Sequence, residues 1–262
     1  MRTRPSRSDG TASGIVEVLY ESILYMHSKI NPNLYTPIAI VIAGIIVAIA
    51  IVATSVGKSA GQQQLGAQQQ EPQIAVDSAK VNTAGEPIVG DVNAPVTIAY
   101  WFDYQCPFCK QNEANNVSQI VKDYVNTGKA KIVFKDFAFL GKDSDTLGYA
   151  ARAVWEVAPQ KFYSWHSALF QNQGQENSGW ATKDKIRSIT ASVLTSSETS
   201  RVMQLIDSNA SKYQAAMDAD KAEGAKNGVQ GTPAMVIGTQ MVSGAQPYAQ
   251  FKAAIDAELA KK

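Results

Sequence analysis

Cys106 and Cys109 are the only cysteines in the 262 residues, and they stand three apart in the stretch DYQCPFCK, residues 103 to 110. Such a pair can bind a metal, staple a loop or exchange electrons. Structural zinc takes four ligands, and the sequence adds only His27 and His166, the first on the far side of an apolar segment described below. No metal and no other cofactor is therefore expected. A disulfide closing so short a loop removes little chain entropy, so an inert structural bond is a weak reading. Redox exchange uses both the spacing and the position of the pair.

The nucleophile in thiol exchange is the thiolate. Pro107 suits the first position of a helix, where its missing amide hydrogen is not needed. Cys106 then sits at the helix N-terminus, where unpaired amides and the positive end of the dipole stabilise an anion. We assign Cys106 as the attacking sulfur and Cys109, one turn further in and less exposed, as the resolving one. Their offset places both on one side of the first turn, within reach of a bond. Phe108 offers either an apolar contact for a substrate or simple packing. His166, set among Trp165, Leu169 and Phe170, reads as a hydrogen-bonded packing histidine in preference to a catalytic one. Asp103 reads as a solvated or capping carboxylate.

The elements around the pair follow from patterning. APVTIAYWFDYQ, residues 94–105, is a nearly continuous apolar run with a proline at its start, as in a central strand covered on both faces. The helix after it carries Val117, Ile120, Val121 and Tyr124 at helical spacing and stops at Gly128. KAKIVFKDFAFL, residues 129–140, is a second strand. A helical block follows from about residue 142 to 227, including segments at 182–193, 197–206 and 210–226. Two short strands and an amphipathic helix close the chain.

Upstream, residues 38–56 form an apolar run without a charged residue, about the length a bilayer core requires. A secretory leader has a shorter apolar core and a shorter preceding segment, so the run reads as an uncleaved signal anchor. Arg2, Arg4, Arg7 and Lys29 precede it and only Lys58 follows closely. The positive-inside tendency then puts residues 1–37 in the cytoplasm and the remainder outside the cytoplasmic membrane. Residues 57–90, rich in Gln and Gly at their start, read as a flexible tether, and residues 91–262 as the globular domain. The 24 basic and 23 acidic side chains nearly cancel, which argues against a nucleic-acid partner.

Three separate stretches resemble the thioredoxin-fold thiol-disulfide oxidoreductases of the DsbA type. They are the aromatic strand leading into CPFCK, the stretch AARAVWEVAPQKFYSWHSALFQNQ at 150–173, and GVQGTPAMVIGTQMVSGAQPYAQF at 228–251. The resemblance implies an α/β thioredoxin-like fold with an inserted helical subdomain. It also implies a cis Thr232–Pro233 bond facing Cys106, with the backbone at Thr232 pairing with an extended substrate. Tyr100 departs from the pattern, since many thioredoxin-fold enzymes carry a buried acid six positions before the first cysteine. The implied activity is disulfide formation in exported proteins with cysteine thiols. Reoxidation by a quinone-linked membrane protein of the DsbB or vitamin K epoxide reductase type is implied with it. A reductase or isomerase using the same cysteines, and a client-binding module without turnover, stay open as alternatives.

Overall fold

A computed structural model describes residues 76–262. The expected cytoplasmic tail at 1–37, the apolar span at 38–56 and the tether at 57–75 lie outside the described residues. Among the described residues no helix is long and apolar enough to cross a membrane.

The central strand, β2 (Val96–Phe102), is buried along nearly its whole length. It pairs in parallel with β3 (Ala130–Asp136) and antiparallel with β4 (Ala234–Ile237). β1 (Ile88–Val89) and β5 (Gln240–Ser243) complete the sheet in the order β1-β3-β2-β4-β5. Alternate residues of β2 face opposite sides, as the pleat dictates. Ile98, Tyr100 and Phe102 enter the main core, while Ala99 and Trp101 enter a smaller one with Val229 and Val236.

Helix α1 covers residues 107–125 as one continuous run. It contains two wide π turns, Glu113–Val117 and Val121–Val125. Periodicity anticipates a plain α-helix there; a π turn keeps the same apolar positions buried and shifts only the register between them. Val117, Ile120, Val121 and Tyr124 all face the core.

The inserted block comprises α2 (Lys142–Val157), α3 (Phe162–Gln171), α4 (Lys183–Ala191), α5 (Ser196–Ser208) and α6 (Ala210–Lys226). Thr182 caps α4, and Thr195 with Glu198 forms a capping box on α5. α6 lies against the second face of the sheet. A Cβ added at Gly224 would come 2.8 Å from the Trp101 indole nitrogen, so only glycine permits this approach. α7 (Tyr248–Leu259) closes the chain against the main core through Phe251, Ala254 and Ile255.

One boundary differs from the sequence reading. Residues 76–90, assigned above to the flexible tether, belong to the folded unit. Val76 and Val81 join the smaller core. The Ser78 hydroxyl donates to the Thr97 carbonyl at 2.7 Å and accepts from the Gly238 amide at 2.8 Å. β1 pairs antiparallel with β3. Composition misses this strap because polar hydrogen bonds and ion pairs hold it, with no long apolar run.

The ion pairs centre on buried charges from four separated segments. Lys135 Nζ lies 2.7 Å from Asp220, 2.9 Å from Glu223 and 3.5 Å from Glu86. Arg152 reaches Asp136 at 2.7 Å, Glu86 at 3.0 Å and Asp220 at 2.5 Å. Strap, sheet and insertion are thereby joined.

Candidate functional site

The turn between β2 and α1 is built around Asp103. Its carboxylate accepts from the Gln105 amide at 2.8 Å and the Ser144 hydroxyl at 2.7 Å. It also accepts from the amides of Phe139 at 2.9 Å and Leu140 at 3.2 Å. Asp103 is therefore a buried cap and not a solvated group. Gln105 continues the network, donating to the Leu140 carbonyl at 2.6 Å and accepting from the Asn177 amide at 2.8 Å. Gln173, just past α3, donates to the carbonyls of Tyr104 at 2.8 Å and Cys106 at 3.0 Å. Gln105, Ser144 and Gln173 escape sequence reading because lone polar side chains carry no spacing signal.

Cys106 occupies the N-cap of α1 with extended backbone, and Pro107 takes the first helical position. Both cysteines are free thiols. Cys106 is 4 % exposed and Cys109 fully buried. The Cys106 thiol is lowered from 9.0 to about 6. The Cys109 thiol beside it contributes most, followed by Thr232 and the amides of Cys109 and Phe108, with burial opposing. Burial pushes Cys109 well above the ordinary thiol range, and the neighbouring Cys106 adds to the shift. The two sulfurs are thus unequal in the sense their positions on the helix suggest.

The Thr232–Pro233 peptide bond is cis. It brings the Thr232 carbonyl to 3.5 Å from the Cys106 sulfur, so Cys106, Cys109, Thr232 and Pro233 share one site although 126 positions separate Cys106 from Thr232. Phe108 is 61 % exposed and Phe139 47 %, which removes the packing reading for Phe108. Together they place apolar surface on the chain near the buried pair.

His166 is fully buried. Its Nδ1 lies 2.8 Å from the Tyr104 hydroxyl, and Phe102, Phe134 and Phe170 surround the ring. It is a packing histidine in a polar contact, as its sequence setting suggests. Tyr100 stands fully buried under the active-site helix. Among the described residues no three or more His, Cys, Asp or Glu side chains cluster as metal ligands.

The family described as Thioredoxin matches residues 82–257 of this chain. The chain belongs to the thioredoxin family. Disulfide bond formation protein D of Bacillus subtilis strain 168 is 28 % identical over 185 residues, covering 71 % of this chain and 82 % of that protein. The crystal structure of oxidised BdbD from Bacillus subtilis superposes with a TM-score of 0.64 at 26 % identity. It covers 71 % of this chain and 98 % of its own. The catalytic domain of Proteus mirabilis ScsC is similar at 26 % identity and a TM-score of 0.51, covering 70 % of this chain and 94 % of its own. This thioredoxin-family chain is a DsbA-like thiol-disulfide oxidoreductase.

Proposed function

We propose that this protein introduces disulfide bonds into exported proteins, with Cys106 and Cys109 as its redox pair. The observation that carries the direction is the low value of the Cys106 thiol, about 6. A stabilised thiolate favours the reduced enzyme, and an enzyme whose reduced form is stabilised gives its disulfide away readily.

A substrate thiolate attacks Cys106 Sγ, the Cys106–Cys109 bond breaks, and Cys109 leaves with the electron pair. The mixed disulfide between substrate and Cys106 is then attacked by the substrate's second thiolate. Cys106 departs as thiolate, substrate leaves oxidised, and the enzyme is reduced by two electrons. An extended substrate segment pairs with the backbone at Thr232 beside the cis bond, and Phe108 adds an exposed apolar contact.

Residues 38–56 serve as a single-pass anchor in the cell membrane, with the N-terminus cytoplasmic and the catalytic domain outside. The apolar length of the run and the basic residues before it support this reading. A quinone-linked membrane oxidoreductase of the DsbB or vitamin K epoxide reductase type restores the disulfide.

The decisive experiment equilibrates the protein in glutathione buffers and measures its reduction potential. A value near about -120 mV agrees with an oxidase, and a value at or below about -270 mV overturns that direction in favour of a reductase. Cys106→Ser is expected to abolish turnover of a reduced, unfolded substrate. Full turnover in that variant sinks the assignment of the redox pair.

A further inference from the structure

The loop from α3 to α4, residues 172–182, is exposed at 175–179, yet two of its residues grip the active-site turn. Gln173 Nε2 donates to the Tyr104 carbonyl at 2.8 Å and to the Cys106 carbonyl at 3.0 Å. Both amide protons of one side chain are thereby engaged. Gln105, the residue between those two carbonyls, reaches the other way. Its Oε1 accepts from the Asn177 amide at 2.8 Å, while its Nε2 donates to the Leu140 carbonyl at 2.6 Å and the Ser144 hydroxyl at 3.0 Å. Turn and loop hold each other through two glutamines of opposite direction.

The loop takes its shape at a cost. Asn177 is the one non-glycine with positive φ among the described residues, at 55°, and that region is unfavourable for a residue with a Cβ. Trp180 closes the loop over Gly174, where an added Cβ would come 2.6 Å from the indole ring. A strained residue whose amide reaches the active-site turn points to a demand on position that loop closure alone does not make.

The peptide units held by Gln173 are the ones that fix Cys106. The Cys106 amide donates to the Asp103 carbonyl at 3.1 Å. Pro107 has no amide hydrogen, so the Cys106 carbonyl is the sole hydrogen-bonding group of the peptide unit that opens α1. That oxygen accepts from the amides of Cys109 at 3.1 Å and Lys110 at 3.2 Å within the helix, and from Gln173 outside it. Asp103 on one side and Gln173 on the other thus hold Cys106 at φ -68° and ψ 119°. This extended N-cap leaves the sulfur beside the amides of Phe108 and Cys109 and 3.5 Å from the Thr232 carbonyl.

We propose that Gln173 is a positioning residue for the nucleophile: by holding the Tyr104 and Cys106 carbonyls it keeps the Cys106 sulfur aimed at the first-turn amides, and so sets how oxidising the pair is. It acts through the Cys106 backbone, and the assignment rests on the reading of Cys106 as the attacking sulfur. Without Gln173 the Cys106 carbonyl keeps its helical donors and loses the one that fixes its plane from outside. The amides then lose their aim and the thiolate part of its stabilisation. The reduced enzyme gains less from ionisation, and the disulfide is given up less readily.

Full-length wild type is compared with Gln173→Leu, which keeps the bulk and removes both donors. Iodoacetamide alkylation of Cys106 is followed from about pH 4 to about pH 9, a range that brackets the shifted and the ordinary thiol. The redox equilibrium with glutathione is measured at about pH 7 and about pH 5, on either side of the Cys106 midpoint. In Gln173→Leu the alkylation midpoint is expected to rise from about 6 by about half a pH unit or more. At neutrality the glutathione equilibrium should move about threefold toward oxidised enzyme, as a half-unit loss of thiolate stabilisation requires. Near the acidic end that shift should vanish, because Cys106 is mostly protonated in both proteins.

A midpoint and an equilibrium that match wild type overturn the proposal whatever stability is lost, since they mark a structural clasp only. So does an equilibrium shifted equally at both pH values, which marks an effect on the disulfide and not on the thiolate. Should Gln173→Leu fail to fold, the wild-type protein decides. Its Gln173 side-chain amide resonances should titrate with the alkylation midpoint of Cys106, and resonances flat across that pH overturn the proposal. Wild-type protein in which Cys109 and not Cys106 takes the alkylating agent overturns the reading of the pair itself, a result distinct from any change at Gln173.

Discussion

Cys106 and Cys109 share a helix turn yet differ in what surrounds each sulfur, and that difference orders their reactions. A thiol moved from 9.0 to about 6 is ionised at neutral pH roughly a hundredfold more often than an ordinary one. Alkylation of Cys106 by iodoacetamide should therefore follow a titration with its midpoint near pH 6, and mass spectrometry should find Cys109 unmodified in the folded protein. The same shift acts on the redox balance. The reduced state gains fully above the ordinary thiol value, and the gain disappears as pH falls through about 6. At neutral pH it makes the pair more oxidising by roughly 30 mV than it would be with an unperturbed Cys106. Potentials measured at two pH values on either side of that midpoint check the sign. Both cysteines, Pro107 and the Thr232–Pro233 loop were legible in the sequence, because spacing and a family pattern carry them. Gln105 and Gln173 were not, since a polar residue buried by tertiary packing reads locally as a surface one.

At the scale of elements, the active-site turn is held less by its own backbone than by what it borrows from the insertion. Asp103→Ala leaves the amides of Gln105, Phe139 and Leu140 and the Ser144 hydroxyl without their acceptor. Urea unfolding should show a loss of at least about 2 kcal/mol, in keeping with unsatisfied buried donors. Gly224→Ala tests the packing of α6 on the sheet. The new methyl meets the Trp101 indole, and the expected loss is about 1–3 kcal/mol with a changed tryptophan emission. Strands β2 to β5 and the long helices follow from apolar patterning, as does the helical nature of the block between β3 and β4, whereas β1 lies in the stretch that composition reads as tether. The π turns of α1 do not, because both helix types bury Val117, Ile120 and Val121 and the apolar pattern cannot distinguish them.

At the scale of the whole molecule, the buried ion cluster makes stability depend on pH. Burial, with the nearby Asp220 charge, raises Glu86 from 4.5 to about 7, against the pull of Arg152 and Lys135. A carboxyl raised on folding favours the native state fully below its ordinary value, and that favour is lost as pH rises through the native one. Stability should decline from this source between about 4.5 and about 7, and Glu86→Gln should flatten that slope in urea titrations taken across the window. Lys135→Met, which leaves Asp220 and Glu223 without their shared cation, is expected to cost about 3–5 kcal/mol. The strap that carries Glu86 has a mechanical meaning as well. Force transmitted along the chain from upstream enters the fold at Val76 and meets first the bonds of Ser78 to Thr97 and Gly238. It is taken up there by the central strand and its neighbour, before the short edge strand bears any load. A pull on the upstream chain is thus shared across the middle of the sheet, away from the sulfur pair at its far end.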